Sequence, residues 1–415
     1  MPTAEALPLS DTVTPADQAE LAQTVGEAFA DNMPLYPIGG GTSLNFGLPP
    51  QQTGLGLSLR GLRRVIDYPA RDMTITVEAG ITIDSLAKTL GAQRQRLPID
   101  LPNAHRATLG GLIATNTCGA RRYANGAIRD YVIGITAVDG RGTLFHGGGR
   151  VVKNVAGYDF CKLLTGSLGT LAVIAQVTLR VKPIPEASQF VACKLRDWPA
   201  AERFLATLVT SQTTPAAIEL LRGPAWNNDP ALGSLSGREV AHLVVGLEGT
   251  RTEVNWMSNT MWNELRKLGV SADIVPEHHT HGLWMRLAQF PVEGQAALVI
   301  KACLRPSRVV EFIQLLTEID PTCAVQSHAG NGIVIARLTK FGEGGLSKLL
   351  VGRLHPQAAE FGGHVTVLSC TTPAELTRQC WWGSHGETAL VMESVKRQFD
   401  PKDLLNRGRF VYAGR

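Results

Sequence analysis

Apolar residues recur along the chain with helical and strand periods in turn, and this pattern predicts an α+β fold. Residues 15–32 place Leu21, Val25 and Phe29 on one helical face, which predicts the first helix. Short apolar or alternating runs predict strands over residues 55–59, 65–67, 73–78, 132–139, 143–146 and 170–181. Helical spacing returns over residues 83–90 and 159–164.

The string KPIP over residues 182–185 marks the best boundary in the chain, because its two prolines stop the preceding strand. Beyond it, we predict helices over residues 200–210, 252–268, 309–319 and 389–398, and strands over residues 240–248, 299–304, 332–338 and 365–368. Two β-α-β halves that form an antiparallel sheet under helices would fit this alternation.

Three glycine-rich turns separated by strand-like runs are the strongest chemical signal. They are PIGGGTSLN over residues 37–45, ATLGGLIATN over residues 107–116 and GSLGTLAVI over residues 166–174. A backbone that approaches a pyrophosphate closely needs residues without Cβ and a row of free N–H groups. Any one of these strings alone is typical of an ordinary tight turn, but the set predicts a phosphate-bearing cofactor. Neither G-x-G-x-x-G opening a helix nor a P-loop motif occurs, which disfavours a nicotinamide Rossmann site and a P-loop hydrolase.

With VKNVAGYD over residues 152–159, FDP over 399–401 and LLNRGR over 404–409, these strings resemble the FAD-binding proteins of the vanillyl-alcohol oxidase superfamily. Within it, the chain resembles the FAD-binding subunits of bacterial glycolate oxidases. The resemblance implies a PCMH-type FAD-binding domain over residues 1–183 and a ferredoxin-like α+β cap over residues 184–388. It also implies that a C-terminal helix and tail, residues 389–415, return to the FAD domain.

FAD is the cofactor that this resemblance implies, with its pyrophosphate held from two sides by the first two glycine loops. The implied cofactor-binding residues are Pro37, Gly39, Gly40, Gly41, Thr42, Ser43, Leu44, Thr108, Leu109, Gly110, Gly111, Ala114, Thr115, Gly119, Gly126, Gly169, Thr170 and Ile174. For Ile174, a buried strand position is the competing interpretation. His105, Cys118 and His146 lie near enough to be attachment points for a covalent flavin, but none sits in a linkage motif, so we expect noncovalent FAD.

The catalytic residues that we predict are His328 and Asn331, in the string HAGNGIVI over residues 328–335. The related catalytic subunits and D-lactate dehydrogenases carry H-x-G-D-G-N-x-H there, which can hold a divalent metal. In this chain Asn331 replaces the acidic residue and Ile335 replaces the second histidine, so we expect no bound metal. His328 could act as a base toward an α-hydroxyl while the flavin takes the hydride, whereas a structural histidine in a glycine turn is the competing interpretation.

Two further groups of polar residues remain unassigned by their spacing. His278, His279 and His281 follow a proline in a segment that we expect to be a loop, where adjacent histidines rarely face one ion. The arginines that could bind a substrate carboxylate are Arg121, Arg122, Arg286 and Arg305, and spacing does not choose among them.

The composition of the chain indicates which kinds of partner and which cellular compartment to expect for the protein. The net charge of +4 over 415 residues comes without a basic cluster, which gives no support to a nucleic-acid partner. Seven scattered cysteines without a C-x-x-C pair indicate a reduced cytoplasmic protein without its own iron-sulfur cluster. Residues 1–30 lack the apolar core of a signal peptide, and no apolar run is long enough to cross a bilayer. We therefore expect membrane contact, at the inner face of the cytoplasmic membrane, only through partners.

Three hypotheses for function remain open. The first is the FAD-binding subunit of a glycolate oxidase complex, in which a paralogous FAD-linked subunit oxidises glycolate to glyoxylate and an iron-sulfur subunit passes electrons on. The second is a stand-alone FAD-dependent 2-hydroxy-acid dehydrogenase, similar to D-lactate dehydrogenases, that works through His328. The third is a non-catalytic assembly subunit, which the complete glycine loops disfavour.

Overall fold

The computed structural model describes residues 7–50, 52–149, 157–233, 239–341 and 344–411, which form two compact units. The glycine-loop unit takes the described residues of Thr3–Thr117, Ala127–Ile184 and Ser384–Arg415. The eight-stranded unit takes Pro185–Gly383 together with Cys118–Gly126. The short segment Cys118–Gly126 therefore has its contacts in the second unit, although the sequence analysis placed it in the first domain.

In its described residues, the glycine-loop unit contains ten strands, most of them short, and the first helices of the chain. The strands are β1 (Leu9–Val13), β2 (Leu35–Ile38), β3 (Gly54–Ser58), β4 (Val65–Asp67), β5 (Thr74–Glu78), β6 (Gln95–Arg96), β7 (Val132–Asp139), β8 (Leu144–Gly148), β9 (Ala172–Arg180) and β10 (Lys182–Pro183). The first helices of this unit are α1 (Gln18–Ala30), α2 (Ile83–Gly91), α3 (Leu109–Thr115) and α5 (Phe160–Leu164). Between α3 and α5 the chain forms α4 (Arg122–Asn125), which belongs to the other unit.

These strands form a parallel sheet in the order β1-β3-β2, an antiparallel sheet in the order β4-β5-β9-β7-β8, and the pair β10-β6. Helix α1 begins where the Asp17 carboxylate accepts hydrogen bonds from the N–H groups of Ala19 and Glu20. Its buried Leu21 and Val25 pack in one cluster with residues of the three-stranded parallel sheet and of the five-stranded antiparallel sheet. The spacing predicted the burial of Leu21 and Val25, whereas Phe29 is half-buried and Ala28 is the third buried residue.

The eight-stranded unit contains one large sheet and seven helices beyond α4 in its described part. The strands are β11 (Ala187–Leu195), β12 (Ala217–Arg222), β13 (Ala241–Gly249), β14 (Ala272–Ile274), β15 (Leu298–Cys303), β16 (Ala324–His328), β17 (Ile333–Leu338) and β18 (His364–Cys370). The helices are α6 (Trp198–Val209), α7 (Arg251–Lys267), α8 (Glu277–Gln289), α9 (Val309–Ile319), α10 (Gly345–Leu349), α11 (His355–Glu360) and α12 (Arg378–Trp382).

The large sheet is antiparallel throughout, in the order β14-β11-β13-β12-β16-β17-β15-β18. Its first four strands and its last four each follow a β-α-β-β-α-β path, so each half is ferredoxin-like. The two halves join where β12 pairs with β16. The predicted α+β class with a ferredoxin-like second domain is confirmed.

The chain closes with helix α13 (Thr388–Phe399) and a tail within the glycine-loop unit. Leu404 and Asn406 continue the parallel sheet, because the Leu35 N–H donates to the Leu404 carbonyl and the Asn406 N–H donates to the Leu35 carbonyl. Among the described residues, no helix is both long enough and apolar enough to span a membrane. The seven cysteines are free thiols.

Candidate functional site

The first glycine loop, residues 39–45, follows β2 and presents unpaired backbone donors. None of the described residues accepts a hydrogen bond from the N–H groups of residues 39–45. Buried or half-buried amides such as that of Gly40 are normally paired, so a row of them without acceptors is a site for an anionic group.

The glycines of this loop are required by a close approach of two chain segments. A Cβ on Gly39 would lie 2.1 Å from Thr108 Oγ1, and one on Gly40 would lie 1.8 Å from the Arg106 carbonyl oxygen. Gly41 has φ of +68°, a left-handed conformation that side chains disfavour. The first two glycine loops, which are predicted to face one pyrophosphate, therefore lie in direct contact.

Two arginines fix the carbonyl groups of the loop. Arg60 donates from Nε to the Gly39 carbonyl at 3.3 Å, and Arg106 donates to the Gly40 carbonyl at 3.3 Å. On the far side of the loop, Arg409 from the tail donates to the carbonyls of Leu44, Phe46 and Leu48. These contacts hold the loop and bring positive charge to it.

The second loop, residues 108–111, contributes differently from the first. The N–H of Leu109 donates to Ile81 at 3.0 Å, that of Gly110 donates to Ala79 at 2.7 Å, and that of Gly111 donates to Thr108 Oγ1 at 3.3 Å. These three donors are already used within the chain. The unpaired amides therefore belong to the first loop, and Thr108 lies beside them.

The third loop is hydrogen-bonded to helix α3, which begins within the second loop. The N–H of Gly166 donates to the Ile113 carbonyl, and the N–H of Leu168 donates to the Ala114 carbonyl, both at 2.9 Å. From the tail, the Asn406 side chain donates to the Leu168 carbonyl at 2.7 Å. Gly169 has φ of +63°. The loop is thus clamped between α3 and the tail.

The remaining predicted cofactor residues occupy varied positions. The Thr115 hydroxyl donates a hydrogen bond to the Gly111 carbonyl, and Thr170 is fully buried. Ile174 lies on β9 of the antiparallel sheet and is buried in the core. Gly119 and Gly126 lie in the segment that joins the eight-stranded unit. Residues 152–156 of the VKNVAGYD string lie outside the described residues.

The three candidates for covalent attachment have different surroundings. His105 is exposed, and Cys118 belongs to the eight-stranded unit. His146 on β8 bonds through Nδ1 to Thr136 Oγ1 at 2.9 Å, beside a cavity of about 160 Å³. None of the predicted cofactor residues lines that cavity. The noncovalent binding of FAD stays a prediction.

The histidine predicted to be catalytic ends β16 and is paired with a carboxylate. His328 Nδ1 lies 2.8 Å from Glu219 Oε1 and 3.0 Å from Oε2. Both side chains are buried, at 2% and 0% exposure. Glu219 stands opposite His328 in the β12–β16 register, at the junction of the two ferredoxin-like halves.

Buried polar atoms without partners occur on His328 and on two residues close to it in the chain. Gln326 donates from Nε2 to Glu219 Oε2 at 2.9 Å. His328 Nε2, Gln326 Oε1 and Asn331 Oδ1 are buried and have no hydrogen-bond partner among the described residues. Such atoms in a native structure indicate a ligand or water that completes them.

The segment Cys118–Gly126 packs next to the turn that follows His328. A Cβ on Gly330 would lie 2.4 Å from Tyr123 Cε2, so only glycine allows this ring to cover the turn. Arg121 donates from Nε to Glu248 at 2.8 Å, and its guanidinium lies 3.7 Å from the centre of the Trp284 ring. Arg121, one of the arginines left open by spacing, is therefore engaged within the unit.

The three clustered histidines lie in helix α8, so the expectation of a loop was wrong. The apolar face of Thr280, Leu283, Trp284 and Leu287 is buried, and that burial holds the helix. The rings of His278 and His279 lie with their centres 4.1 Å apart. Among the described residues, no group of three or more His, Cys, Asp or Glu side chains could hold a metal ion.

Glu219 and Gln326 are the site residues that sequence reasoning missed. The available signal was a carboxylate in the middle of the apolar strand run over residues 216–221, because a buried glutamate is rarely found unpaired. Its partner lies 109 positions away in the chain. The sequence could mark Glu219 as unusual without naming His328 as the reason.

Comparison with known families identifies both domains. Residues 10–148 match the FAD binding domain family, and residues 184–366 match the C-terminal domain of FAD linked oxidases. The chain therefore contains the two domains of an FAD-linked oxidoreductase, which confirms the predicted cofactor and enzyme class. The unpaired amides of the first loop fit the pyrophosphate of FAD.

Several characterised relatives give the family context. The chain is 28% identical over 212 residues to glycolate oxidase subunit GlcD of Bacillus subtilis and 35% identical over 169 residues to subunit GlcE of Escherichia coli. Those matches span 45% and 48% of the two relatives. A D-lactate dehydrogenase of Archaeoglobus fulgidus matches 96% of this chain and 90% of its own length at 26% identity.

A solved structure supports the fold. Alkyldihydroxyacetonephosphate synthase superposes with a TM-score of 0.69 at 18% identity, covering 96% of this chain and 76% of that one. At this identity the likeness concerns the fold alone.

Proposed function

We propose that the chain is an FAD-dependent oxidoreductase of small 2-hydroxy acids. The observation that carries the proposal is the buried His328–Glu219 pair in the second unit, with His328 Nε2 unpaired. A buried imidazole nitrogen without a hydrogen-bond partner is placed to remove a hydroxyl proton from a bound substrate. The names of the relatives, glycolate oxidase subunits and D-lactate dehydrogenases, point to the same class of substrate.

The residues of the chain divide the work as follows. The amides of residues 39–45 bind the pyrophosphate, with Arg60 and Arg106 holding the loop. His328 accepts the proton of the α-hydroxyl, and Asn331 Oδ1 orients the substrate. FAD, when bound, supplies the two-electron acceptor for the hydride that leaves the α-carbon.

For its setting, we infer that the chain is the FAD-binding subunit of a glycolate oxidase complex, in which electrons pass through the flavin to partner subunits. Its similarity to two glycolate oxidase subunits supports this setting. Asn331 and Ile335, which replace the acidic and histidine positions of the related metal motif, also favour it. Partners would be a paralogous FAD-linked subunit and an iron-sulfur subunit.

A stand-alone 2-hydroxy-acid dehydrogenase is the second candidate. The observation that favours it is the match to D-lactate dehydrogenases along nearly the whole chain, 96% and 95% for two of them. The paired His328 would then suffice for proton removal without a second catalytic subunit.

The deciding experiment is anaerobic titration of the purified chain with glycolate and with D-lactate while the flavin absorbance is followed. Bleaching in the chain alone supports the stand-alone dehydrogenase. Bleaching only after partner subunits are added supports the glycolate oxidase subunit. Bound flavin that stays oxidised in both cases contradicts the proposed function and leaves the assembly role.

A matched variant pair makes the titration specific. His328→Gln should keep FAD and lose reduction by the substrate. His281→Gln, a change in helix α8 outside the proposed site, should be reduced like the wild type. Equal reduction of His328→Gln and the wild type would remove His328 from the mechanism.

A further inference from the structure

The contact between Glu219 and His328 lies at a defined place in the large sheet. Strands β12 and β16 are antiparallel neighbours, and their register pairs Glu219 with His328 and Leu221 with Gln326. This pairing joins the two ferredoxin-like halves. Both backbones are held by the ladder, so the two side chains meet in a rigid frame.

The carboxylate determines which ring nitrogen carries a proton. An ionised carboxylate only accepts hydrogen bonds, so with Glu219 in that form the donor would be His328 Nδ1, which lies 2.8 Å and 3.0 Å from its two oxygens. Gln326 Nε2 donates to the same carboxylate at 2.9 Å. Both contacts suit the acceptor-only form of Glu219.

The opposite nitrogen is left free for chemistry. With the proton on Nδ1, the neutral ring of His328 has a lone pair on Nε2. That atom is buried and has no hydrogen-bond partner among the described residues. A hydroxyl group that donated to Nε2 would satisfy it.

The same carboxylate also compensates charge after proton transfer. When Nε2 takes a proton, the buried ring becomes a cation, which is costly in a buried site unless an anion lies next to it. Glu219 already lies in contact with the ring. It can therefore stabilise the protonated ring without rearrangement.

We propose that Glu219 is the positioning residue of this site, which holds His328 as the Nδ1–H tautomer and stabilises its protonated form. The hydroxyl O–H bond breaks as the Nε2–H bond forms, and the proton stays on the ring next to the carboxylate. This proposal rests on the proposed function, in which His328 is the base. The competing role, a purely structural pair that joins two half-sheets, makes different predictions.

The first test observes the tautomer directly and needs no turnover. In the flavin-loaded full chain with ¹⁵N-labelled histidine rings, the signals of His328 are assigned among the ten histidines by their loss in His328→Gln. We expect a protonated Nδ1 and an unprotonated Nε2, and a mixture of tautomers in Glu219→Gln. A proton on Nε2 alone in the wild type, or unchanged signals in Glu219→Gln, overturns the proposal.

The second test separates chemistry from substrate binding. Glu219→Gln should slow flavin reduction by about 100-fold, whereas the substrate dissociation constant should change by less than about threefold. Glu219→Asp keeps the charge and should recover part of the rate, which also covers a Gln variant that folds poorly. Equal rates in the wild type and both variants would leave Glu219 a structural role only.

Asp320 offers a matched control for buried carboxylates. It lies in the same unit, is fully buried, and accepts hydrogen bonds from Thr322 and Thr339. Asp320→Asn should destabilise the unit but leave the His328 signals and the rate of flavin reduction unchanged. An equal loss of rate in this control would overturn the proposal, because general loosening would then explain both variants.

The two tests also keep the inference apart from the proposed function. If the tautomer is as expected but no 2-hydroxy acid reduces the flavin, with or without partner subunits, the proposed function fails. If a 2-hydroxy acid reduces the flavin but the tautomer does not depend on Glu219, the positioning role fails.

Discussion

Gly40 illustrates how a single residue without a side chain makes the cofactor loop feasible. The loop approaches the Arg106 carbonyl so closely that a Cβ at residue 40 would overlap it. The same approach brings Thr108 beside the unpaired amides of residues 39–45. At the scale of one residue, the requirement for glycine arises from contact between chain segments, before any ligand is considered.

The first residue-scale prediction concerns this position. Gly40→Ala should move the loop, because its Cβ would lie 1.8 Å from the Arg106 oxygen, and should weaken FAD binding by about tenfold or more, which is about 1.4 kcal/mol. FAD content after dialysis and fluorescence titration measure this. Gly91→Ala, whose Cβ would meet nothing within 4 Å, should keep FAD as the wild type does. Full FAD content in Gly40→Ala would contradict the loop assignment.

The second residue-scale prediction concerns His242 on β13. Burial, together with the smaller effect of the Lys194 charge, lowers the pKa of His242 from 6.5 to about 4. The unfolded chain therefore binds the proton first, so unfolding becomes easier as pH falls from about 6.5 to about 4. The free energy of unfolding should fall by about 3 kcal/mol over this pH range, and its full value is present above pH 6.5.

His242→Asn should flatten this pH dependence, because the variant has no group to titrate there. The measurement is the free energy of unfolding of the eight-stranded unit, from tryptophan fluorescence in urea at several pH values. The comparison uses the change of the unfolding free energy with pH, because the altered packing in the variant shifts that free energy equally at every pH. Identical slopes in the variant and the wild type would show that His242 titrates normally.

At the scale of elements, helix α13 and the tail hold the third glycine loop. Lys396 is buried on α13, and its ammonium donates to the Thr170 carbonyl at 2.7 Å and the Leu405 carbonyl at 3.1 Å. It also pairs with Asp400 at 2.6 Å, and Asp400 accepts from the N–H groups of Leu404 and Leu405. The tail therefore acts as a clamp on the loop that contains Thr170.

Removal of this lysine should destabilise the glycine-loop unit. Lys396→Met leaves Asp400 buried without its cation, a kind of change that costs about 3–5 kcal/mol. The temperature at which flavin fluorescence rises on FAD release should fall. Arg397→Met removes an exposed pair with Glu393 and should cost less than about 1 kcal/mol. Similar shifts in both variants would argue against the clamp.

At the scale of the whole molecule, the two units can be followed by separate signals. All seven tryptophans lie within Pro185–Gly383, in the eight-stranded unit. The three glycine loops that carry the cofactor prediction lie in the glycine-loop unit, where a bound flavin would report on them. Tryptophan fluorescence and flavin fluorescence therefore measure different units of the same chain.

Two variants should separate cofactor binding from chemistry. Gly40→Ala should bind FAD more weakly while the tryptophan-detected unfolding of the eight-stranded unit stays unchanged. His328→Gln should keep FAD at the wild-type ratio while reduction by 2-hydroxy acid is lost. Absorbance spectra before and after substrate, with urea unfolding, check both. Loss of FAD in His328→Gln would mean that the two functions are not divided in this way.

The sequence by itself determined the features that depend on neighbours in the chain. The periods that predicted α1, β7 and β13 come from side chains a few positions apart, which share one face of an element. The glycine loops predicted a phosphate-bearing cofactor, because a close approach of the backbone needs residues without Cβ. FAD itself was implied by the resemblance to a known family.

Only the tertiary structure decided which distant groups meet. Helix α8 was missed because the burial of its apolar face, and not its histidine-rich start, sets its conformation. The first loop keeps its amides free while the second uses its own, a difference set by acceptors such as Ala79 and Ile81. Glu219 reaches His328 because β12 and β16 pair across 109 positions, and no local pattern specifies the register between two ferredoxin-like halves.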